Sequence, residues 1–345
     1  MKEAKNLAWN VLPDLLNIKS VAGNCSRAIE KVKELVKDYG YEIQETNKGG
    51  LIIKISGKDS SKSRVLSAHV DTLGGMVKSI GGNGRVYITP IGGVYPYSVE
   101  GEYVTVETVD GKMIRGTILH DDPSAHVNKD LDSDKRSFKN VSIRLDEVVK
   151  DSDDVEKLGI SVGDYVFFDP RVEVSNSGFI KSRHLDDKAG VVVLLGAIDY
   201  FSRNKIVPPY DTYIYISVAE EVGNGLVSKI PTNCFEVVAV DMGALGGGQT
   251  SDEFTVSICA KDSSGPFDYT LRKKIVNLAK ENNISYKVDI YPFYGSDAAA
   301  ALRTGIDAKH MLFGPGIDAS HSFERVHRDS INASTELAIK YIESL

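Results

Sequence analysis

The sequence lacks the features of membrane, secreted and nucleic-acid-binding proteins. No apolar segment among its 345 residues approaches the roughly 20 residues that span a bilayer. Residues 1–20 alternate in charge and have no apolar centre of the kind found in a signal peptide. The 3 cysteines have no CxxC spacing, which indicates buried thiols in a reducing compartment. The net charge of −7 is not offset by any basic block. We therefore expect a cytoplasmic protein that binds neither membranes nor nucleic acid.

Several common catalytic motifs are also missing. The chain contains no HExxH, no GxSxG and no P-loop. These absences remove support for a single-zinc protease, a serine hydrolase of the nucleophile-elbow type and a P-loop nucleotide enzyme.

Two patterns alternate along the chain and predict two domains. Residues 1–73 and 181–345 alternate β-branched runs with helical stretches, which is typical of an α/β domain with a mostly parallel sheet flanked by helices. Residues 74–180 contain short runs of alternating polarity between turn residues, which predicts a small β-barrel or sandwich. The simplest architecture is an α/β domain interrupted by an inserted β-barrel domain.

Histidines and carboxylates follow the predicted strands of the α/β domain. Ligands bind outside the carboxyl ends of parallel strands, so separate segments would bring these side chains to one edge of the sheet. Two imidazoles and several carboxylates suit Zn²⁺, Co²⁺ or Mn²⁺ better than Ca²⁺ or Mg²⁺. The residues concerned are His69, Asp71, Asp186, Asp187, Glu220, Glu221, Asp241 and His321.

Each residue also has a structural interpretation. Glu220 and Glu221 alone would more often be a solvated strand end, and only the other segments make a metal site the better hypothesis. Asp187 either supports the site or caps the following helix. The histidine- and aspartate-rich stretch 119–130 lies between β runs and is predicted to be an exposed loop. The roles of His184 and His327 stay open.

Five motifs occur in order along the chain: AHVD (68–71), LDDKAG (185–190), AEEVG (219–223), AVDMG (239–243) and HSFE (321–324). Together they resemble the M42 family of metallo-aminopeptidases, the glutamyl and deblocking type of di-metal peptidase. The resemblance covers most of the chain, including the place of the β insertion. It implies a zinc-peptidase-like α/β fold and aminopeptidase activity on peptides.

The resemblance also implies a role for each ligand. His69 and Asp241 would hold one metal, Glu221 and His321 the other, and Asp186 would bridge both. Two divalent ions, Zn or Co with Mn possible, would activate a water between them.

Two further residues complete the catalytic set that the resemblance implies. Glu220 would act as the general base, and Asp71 would orient His69. The family further implies a homo-oligomer built from dimers, up to a dodecamer, with contacts made by the inserted domain. Thr72 and the segment NGLVSK (224–229) depart from the family pattern, which bears on substrate preference more than on catalysis.

Three other functions remain open at this stage. The same site could serve a deacylase, carboxypeptidase or dipeptidase, which free and blocked substrates would separate. A glycoside hydrolase would need two carboxylates and usually no metal, so chelator sensitivity discriminates it. A non-catalytic scaffold would have no need of a base at Glu220.

Overall fold

The computed structural model describes residues 1–345, which form two compact units. The helices are Lys2–Leu16 (α1), Ser26–Val36 (α2), Pro96–Val99 (α3), Ser152–Lys157 (α4), Leu185–Asn204 (α5), Tyr269–Glu281 (α6), Asp297–Leu302 (α7) and Arg328–Glu343 (α8). The strands are Glu42–Glu45 (β1), Leu51–Ile55 (β2), Asp59–His69 (β3), Gly74–Ile80 (β4), Val86–Ile91 (β5), Tyr103–Glu107 (β6), Met113–His120 (β7), Val141–Leu145 (β8), Tyr165–Phe168 (β9), Glu173–Val174 (β10), Phe179–Ser182 (β11), Tyr210–Ser217 (β12), Cys234–Val240 (β13), Gly243–Ala244 (β14), Val256–Asp262 (β15), Gly265–Pro266 (β16), Tyr286–Ile290 (β17), Lys309–Ile317 (β18) and Glu324–His327 (β19).

The first unit comprises residues 1–71 and 171–345 and is built on a ten-stranded mixed sheet. The strand order is β1-β2-β12-β3-β13-β18-β15-β16, with β17 beside β15 and β14 beside β18. The four central strands β12, β3, β13 and β18 are parallel, and β1, β2, β15 and β16 join by antiparallel pairing. The parallel centre brings the carboxyl ends of four strands to one edge.

Sequence composition accounts for these elements. Strand β12 carries the β-branched and aromatic residues YDTYIYIS, and most of them are buried because helices or neighbouring strands cover the sheet. Helix α5 is apolar on nearly every face and almost completely buried, as expected for a helix enclosed by other elements. Helices α1 and α8 pack against it.

A small second sheet, β10-β11-β19, also belongs to the first unit. Phe179 pairs with His327 and Ser182 pairs with Glu324, so the chain that leads into α5 is tied to the chain that leads into α8. The predicted insertion ended at residue 180, whereas the second unit ends at Pro170. The difference arises because strands of two to four residues carry too few positions for a recognisable period.

The second unit, residues 72–170, contains a closed barrel with the strand order β4-β5-β8-β7-β6-β9. Every pairing is antiparallel, and β4 pairs with β9 to close the barrel. Alternate residues such as Val104 and Val106 face an apolar interior. The predicted fold class, an α/β domain with an inserted small β-barrel, is confirmed. None of the helices combines the length and apolar character that crossing a bilayer requires.

Candidate metal centre

The predicted site residues meet at the edge formed by the carboxyl ends of the parallel strands. His69 is the last residue of β3, and Asp241 directly follows β13. Glu220 and Glu221 open a short 3₁₀ turn, Glu220–Val222, that follows β12. Asp186 and Asp187 lie at the start of α5 with non-helical dihedral angles, and His321 lies in the turn between β18 and β19.

The Asp186 carboxylate lies between the two imidazoles. Its Oδ1 atom is 3.2 Å from Nε2 of His69, and its Oδ2 atom is 3.5 Å from Nε2 of His321. Glu220 Oε2 is 3.7 Å from His69 Nε2, and Glu221 Oε2 is 3.6 Å from His321 Nε2. Each imidazole therefore faces one oxygen of a shared carboxylate and one glutamate.

The donor atoms fall into two groups, in each of which they lie within 4.8 Å of one another. His69, Asp187 and Asp241 form the first, which we call the inner group because all three residues are buried. Asp186, Glu221 and His321 form the second, the outer group, in which Glu221 and His321 are partly exposed. The pairs expected to hold the two ions thus fall in separate groups, and Asp187, whose role the sequence left open, joins the inner one.

Asp71 contacts both His69 and the glutamate pair. Its backbone carbonyl accepts a 2.9 Å hydrogen bond from Nδ1 of His69, which leaves Nε2 free to face Asp186. Its carboxylate accepts hydrogen bonds from the backbone N–H groups of Glu220 and Glu221, each 3.1 Å long. The expected orientation of His69 thus comes from the carbonyl, while the carboxylate holds the turn that carries the glutamates.

Asp187 belongs to the inner group, and its carboxylate also accepts hydrogen bonds from two backbone N–H groups. Its Oδ2 accepts from the His69 N–H at 3.3 Å and its Oδ1 from the Gly190 N–H at 3.0 Å. A Cβ atom on Gly190 would lie 2.0 Å from the Val240 carbonyl oxygen and 2.4 Å from Asp187 Oδ1. Only glycine permits this close approach of α5 to the end of β13.

Two further buried carboxylates support the site and were not assigned a role from sequence. Asp297 accepts hydrogen bonds from Ser217 Oγ at 2.7 Å and from the Leu226 N–H at 2.8 Å. Glu324 accepts from backbone N–H groups on both sides of the outer group. Glu324 lies within the HSFE motif, and its place three residues after His321 was the only signal available in the sequence.

The other histidines have structural roles or lie elsewhere. Nδ1 of His327 accepts from the Asp329 N–H at 3.1 Å and caps α8, while its ring packs 4.8 Å from Phe179. His184 is the residue before α5 and has a left-handed φ of 70°. His120 was predicted to lie in an exposed loop, but it is the buried last residue of β7, and its Nε2 is 2.9 Å from Asp134 Oδ2.

Burial raises the pKa of most carboxyl groups in the cluster. Loss of solvation, reinforced by neighbouring carboxylates, raises the pKa values of Asp187, Glu220 and Glu221 well above their ordinary range. The same two causes raise the pKa of Asp241 to about 7. Without a bound cation, these acids therefore retain protons toward neutral pH that a metal ion would displace.

The Asp186 carboxylate and the His69 imidazole behave as a charged pair. Burial opposes ionisation of Asp186, but hydrogen bonds from His321 and His69 prevail and lower its pKa. Burial likewise opposes protonation of His69, but its contact with Asp186 prevails and raises its pKa well above the ordinary value. A proton on the imidazole thus supplies some of the positive charge that a divalent cation would supply. Imidazole and carboxylate donors match the ligand preferences of Zn²⁺, Co²⁺ and Mn²⁺, so the residues fit such ions.

Comparison with known proteins relates the chain to aminopeptidases. A family model described as M42 glutamyl aminopeptidase matches residues 49–337. YhfE of Bacillus subtilis (strain 168) is 51% identical over 334 residues, which cover 97% of this chain and 96% of that protein. The TET aminopeptidase of a marine sediment archaeon, Thaumarchaeota archaeon SCGC AB-539-E09, has a TM-score of 0.89 at 20% identity, covering 98% of this chain and 97% of that one. The TET1 peptidase of Pyrococcus horikoshii has a TM-score of 0.86 at 22% identity, covering 98% and 100%.

The two archaeal structures show that the fold is shared, and the family model and YhfE extend the likeness to sequence over most of the chain. The resemblance inferred from the five motifs is therefore confirmed. This chain belongs to the M42 glutamyl aminopeptidase family and is a peptidase.

Proposed function

We propose that the protein is a di-metal aminopeptidase that removes N-terminal residues from peptides. The observation that supports this most directly is the Asp186 carboxylate, whose two oxygens face two imidazoles 3.2 and 3.5 Å away. His69 and Asp241, with Asp187 beside them, would hold one ion, and Glu221 and His321 the other. Asp186 would be shared between them.

The bound ions, Zn²⁺ or Co²⁺ with Mn²⁺ also suitable, would supply Lewis acidity to the scissile carbonyl group and to the attacking water. The chain supplies the proton transfer. Glu220 has a partly exposed carboxylate 3.7 Å from His69 Nε2, so it can reach both the site and the solvent side. It would accept the proton of the attacking water and return it to the leaving amine, with Asp71 fixing its backbone.

Charge favours an aminopeptidase over a deacylase at the same site. The cluster contains five carboxylates, those of Asp186, Asp187, Glu220, Glu221 and Asp241. Two divalent ions would leave about one negative charge if all five were ionised, and this charge would attract a protonated α-amine. An N-acetylated substrate has no such charge, so blocked and free substrates should differ strongly.

We also propose that the chain acts as a homo-oligomer built from dimers, up to a dodecamer. The proposal is supported by the TET1 peptidase of Pyrococcus horikoshii, which can assemble into a tetrahedron or a large octahedral shell. Action in the cytoplasm is supported by the three cysteines, all free and buried, as expected for a reducing compartment. Size-exclusion chromatography with light scattering tests the assembly, and a monomer at working concentration would contradict it.

The activity is tested by stripping the protein with chelator and restoring Zn²⁺ or Co²⁺. A panel of aminoacyl anilides and their N-acetylated forms is then assayed with the wild type, Glu220→Gln and Glu281→Gln, an exposed control. Metal-dependent cleavage of the free amines alone is expected. Glu220→Gln should lower kcat by about 10²- to 10⁴-fold with metal still bound. Cleavage of the blocked substrates would favour a deacylase, and no cleavage at full metal occupancy would refute the peptidase mechanism.

A further inference from the structure

A single carboxylate, that of Glu324, holds the backbone on both sides of the outer group. Glu324 is the first residue of β19 and is only 2% exposed. Its Oε2 accepts hydrogen bonds from the N–H groups of Leu185, at 2.5 Å, and of Asp186, at 3.2 Å. Its Oε1 accepts from the N–H of His321 at 3.2 Å. Two segments more than a hundred residues apart are thus fixed to one side chain.

Both segments need such a hold because neither has ordinary helix or strand dihedral angles at its ligand. Asp186 lies in the first turn of α5 but has a non-helical ψ of 106°. His321 has φ of 63° and Ala319 has φ of 57°, a left-handed conformation that side-chain-bearing residues adopt at a cost. Such backbone persists where the surroundings fix it, and the bond from His321 to Glu324 does so.

Glu324 is itself rigidly placed. It pairs with Ser182 in the antiparallel register of β11 and β19, and β11 ends four residues before Asp186. Glu324 and the strand that precedes Asp186 therefore belong to the same small sheet, which fixes the position of the carboxylate relative to Asp186. Ligand orientation depends on partners of this kind, whose loss typically weakens metal binding by about 10- to 100-fold.

The inner group is held by different contacts. The His69 N–H donates to Asp187, and the Asp241 N–H donates to the carbonyl of Phe313 at 3.1 Å. None of the hydrogen bonds that Glu324 accepts comes from His69, Asp187 or Asp241. A change at Glu324 should therefore act mainly on the outer group, and it should reach the inner ion only through the shared carboxylate of Asp186.

We propose that Glu324 is a positioning residue that fixes Asp186 and His321 and so sets the affinity of the outer group for its metal ion. The proposal rests on the proposed two-ion function. In a Glu324→Gln variant, the amide oxygen can replace one carboxylate oxygen, but the NH₂ group would face a backbone donor. At least one of the three hydrogen bonds is lost.

The test is a calorimetric titration of metal-free protein with Zn²⁺, together with the visible spectrum of Co²⁺ added stepwise. The wild type should bind two ions. Glu324→Gln should bind one ion about 10- to 100-fold more weakly, and it should bind the other ion, which depends on Glu324 only through Asp186, with a clearly smaller loss. The change should therefore fall mainly on one of the two Co²⁺ spectral steps. High Co²⁺ concentration should restore most of its kcat.

The matched control is Glu253→Gln. Glu253 is also a nearly buried glutamate, and its carboxylate binds Arg325, the neighbour of Glu324, at 2.6 and 2.8 Å. The control removes this ion pair without touching the backbone of either ligand, so both ions should bind as in the wild type. Should Glu324→Gln not fold, Glu324→Asp keeps the carboxyl group and shortens the reach, and we expect a smaller loss at the same site.

Three results would overturn one idea or the other. A wild type that binds fewer than two ions would refute the two-ion function and, with it, the role of Glu324. Two ions in the wild type and unchanged binding in Glu324→Gln would refute only the positioning role. Equal weakening of both ions in the two glutamine variants would show that Glu324 is a general structural residue.

Discussion

The inner and outer groups use the same kinds of residue but are built differently. Two of the three inner residues lie at or directly after sheet strands, because His69 ends β3 and Asp241 follows β13. Two of the three outer residues, Glu221 and His321, lie in a 3₁₀ turn and in the turn after β18. The inner side chains are buried, whereas the side chain of His321 is 33% exposed. The sheet thus positions two of the inner residues, whereas the backbone of each outer residue is held by a side-chain carboxylate from another part of the chain or from the same turn.

This difference predicts unequal metal binding. Stiff strands fix ligand geometry better than turns do, and a buried site exchanges more slowly with solvent than an open one. The inner ion should therefore be the tightly held ion, and the outer ion the one whose occupancy follows the metal supply. The experiments below test that asymmetry, starting with the largest expected effect.

The largest effect is expected from removing the imidazole of each group. His69→Ala should reduce peptidase activity by more than about 100-fold at any metal concentration, because removing a ligand costs more than removing a partner of a ligand. His321→Ala should start with one bound ion and should regain part of its activity at high Co²⁺ concentration. Metal content after timed dialysis against chelator, measured by mass spectrometry, checks this. If the wild type lost both ions at the same rate during dialysis, the predicted difference between a tightly held inner ion and a weakly held outer ion would be refuted.

A smaller effect is expected from the support of the glutamate turn. The Asp297 carboxylate binds both ends of the segment from Ser217 to Leu226, which carries Glu220 and Glu221. A Cβ atom on Gly225 would lie 1.8 Å from Asp297 Oδ1, so the two residues are packed in direct contact. Both Asp297→Asn and Gly225→Ala should displace the turn and lower kcat by about 10- to 100-fold with little change in KM.

The exposed Asp307→Asn serves as the control for charge removal in the same region. Metal occupancy of the inner group should stay unchanged in both turn variants, because neither residue contacts it. Wild-type kcat in both variants would mean that the turn is held by Asp71 alone.

The elements that build the inner group could be predicted from the sequence. The run RVLSAHV (64–70) predicted most of β3, and FEVVAVDMG (235–243) predicted β13, because β-branched residues in a continuous run specify a buried strand. A ligand at a strand end then follows from the sheet topology. Glu220 and Glu221 could also be predicted as site residues, because the 3₁₀ turn that contains them follows such a strand.

The supports of the outer group could not be predicted from local pattern. Glu324 acts on Leu185 and Asp186, and Asp297 acts on Ser217, so each role depends on contacts between distant segments. A buried carboxylate that accepts hydrogen bonds from backbone N–H groups cannot be distinguished from an exposed carboxylate in the sequence. The position of Asp187 likewise depends on non-helical dihedral angles at the start of α5, which no periodicity encodes.

The smallest effect concerns the pH dependence of the metal-free protein. Burial raises the pKa of Asp241, in the inner group, to about 7, and that of Glu324, which supports the outer group, to about 8. Unfolded carboxyl groups titrate near 4. Between about pH 4 and those raised values the folded state binds more protons than the unfolded state, so stability must fall as pH rises. His69 adds to this trend, because a raised histidine pKa gives stability that is lost at higher pH.

Asp186 does not offset this loss of stability at higher pH. Its lowered pKa stabilises the folded state, but that contribution has already reached its full value above about pH 5. The metal-free protein should therefore lose on the order of 1 kcal/mol for each acid that ionises between pH 6 and pH 8. Urea unfolding in chelator at pH 6, 7 and 8 measures this loss. Asp241→Asn should remove the part centred near pH 7 and Glu324→Gln the part near pH 8, whereas saturating Zn²⁺ should flatten the whole profile. A metal-free profile that is flat in the wild type would mean that the acids of both groups are already compensated within the chain, and the case for two cations would weaken accordingly.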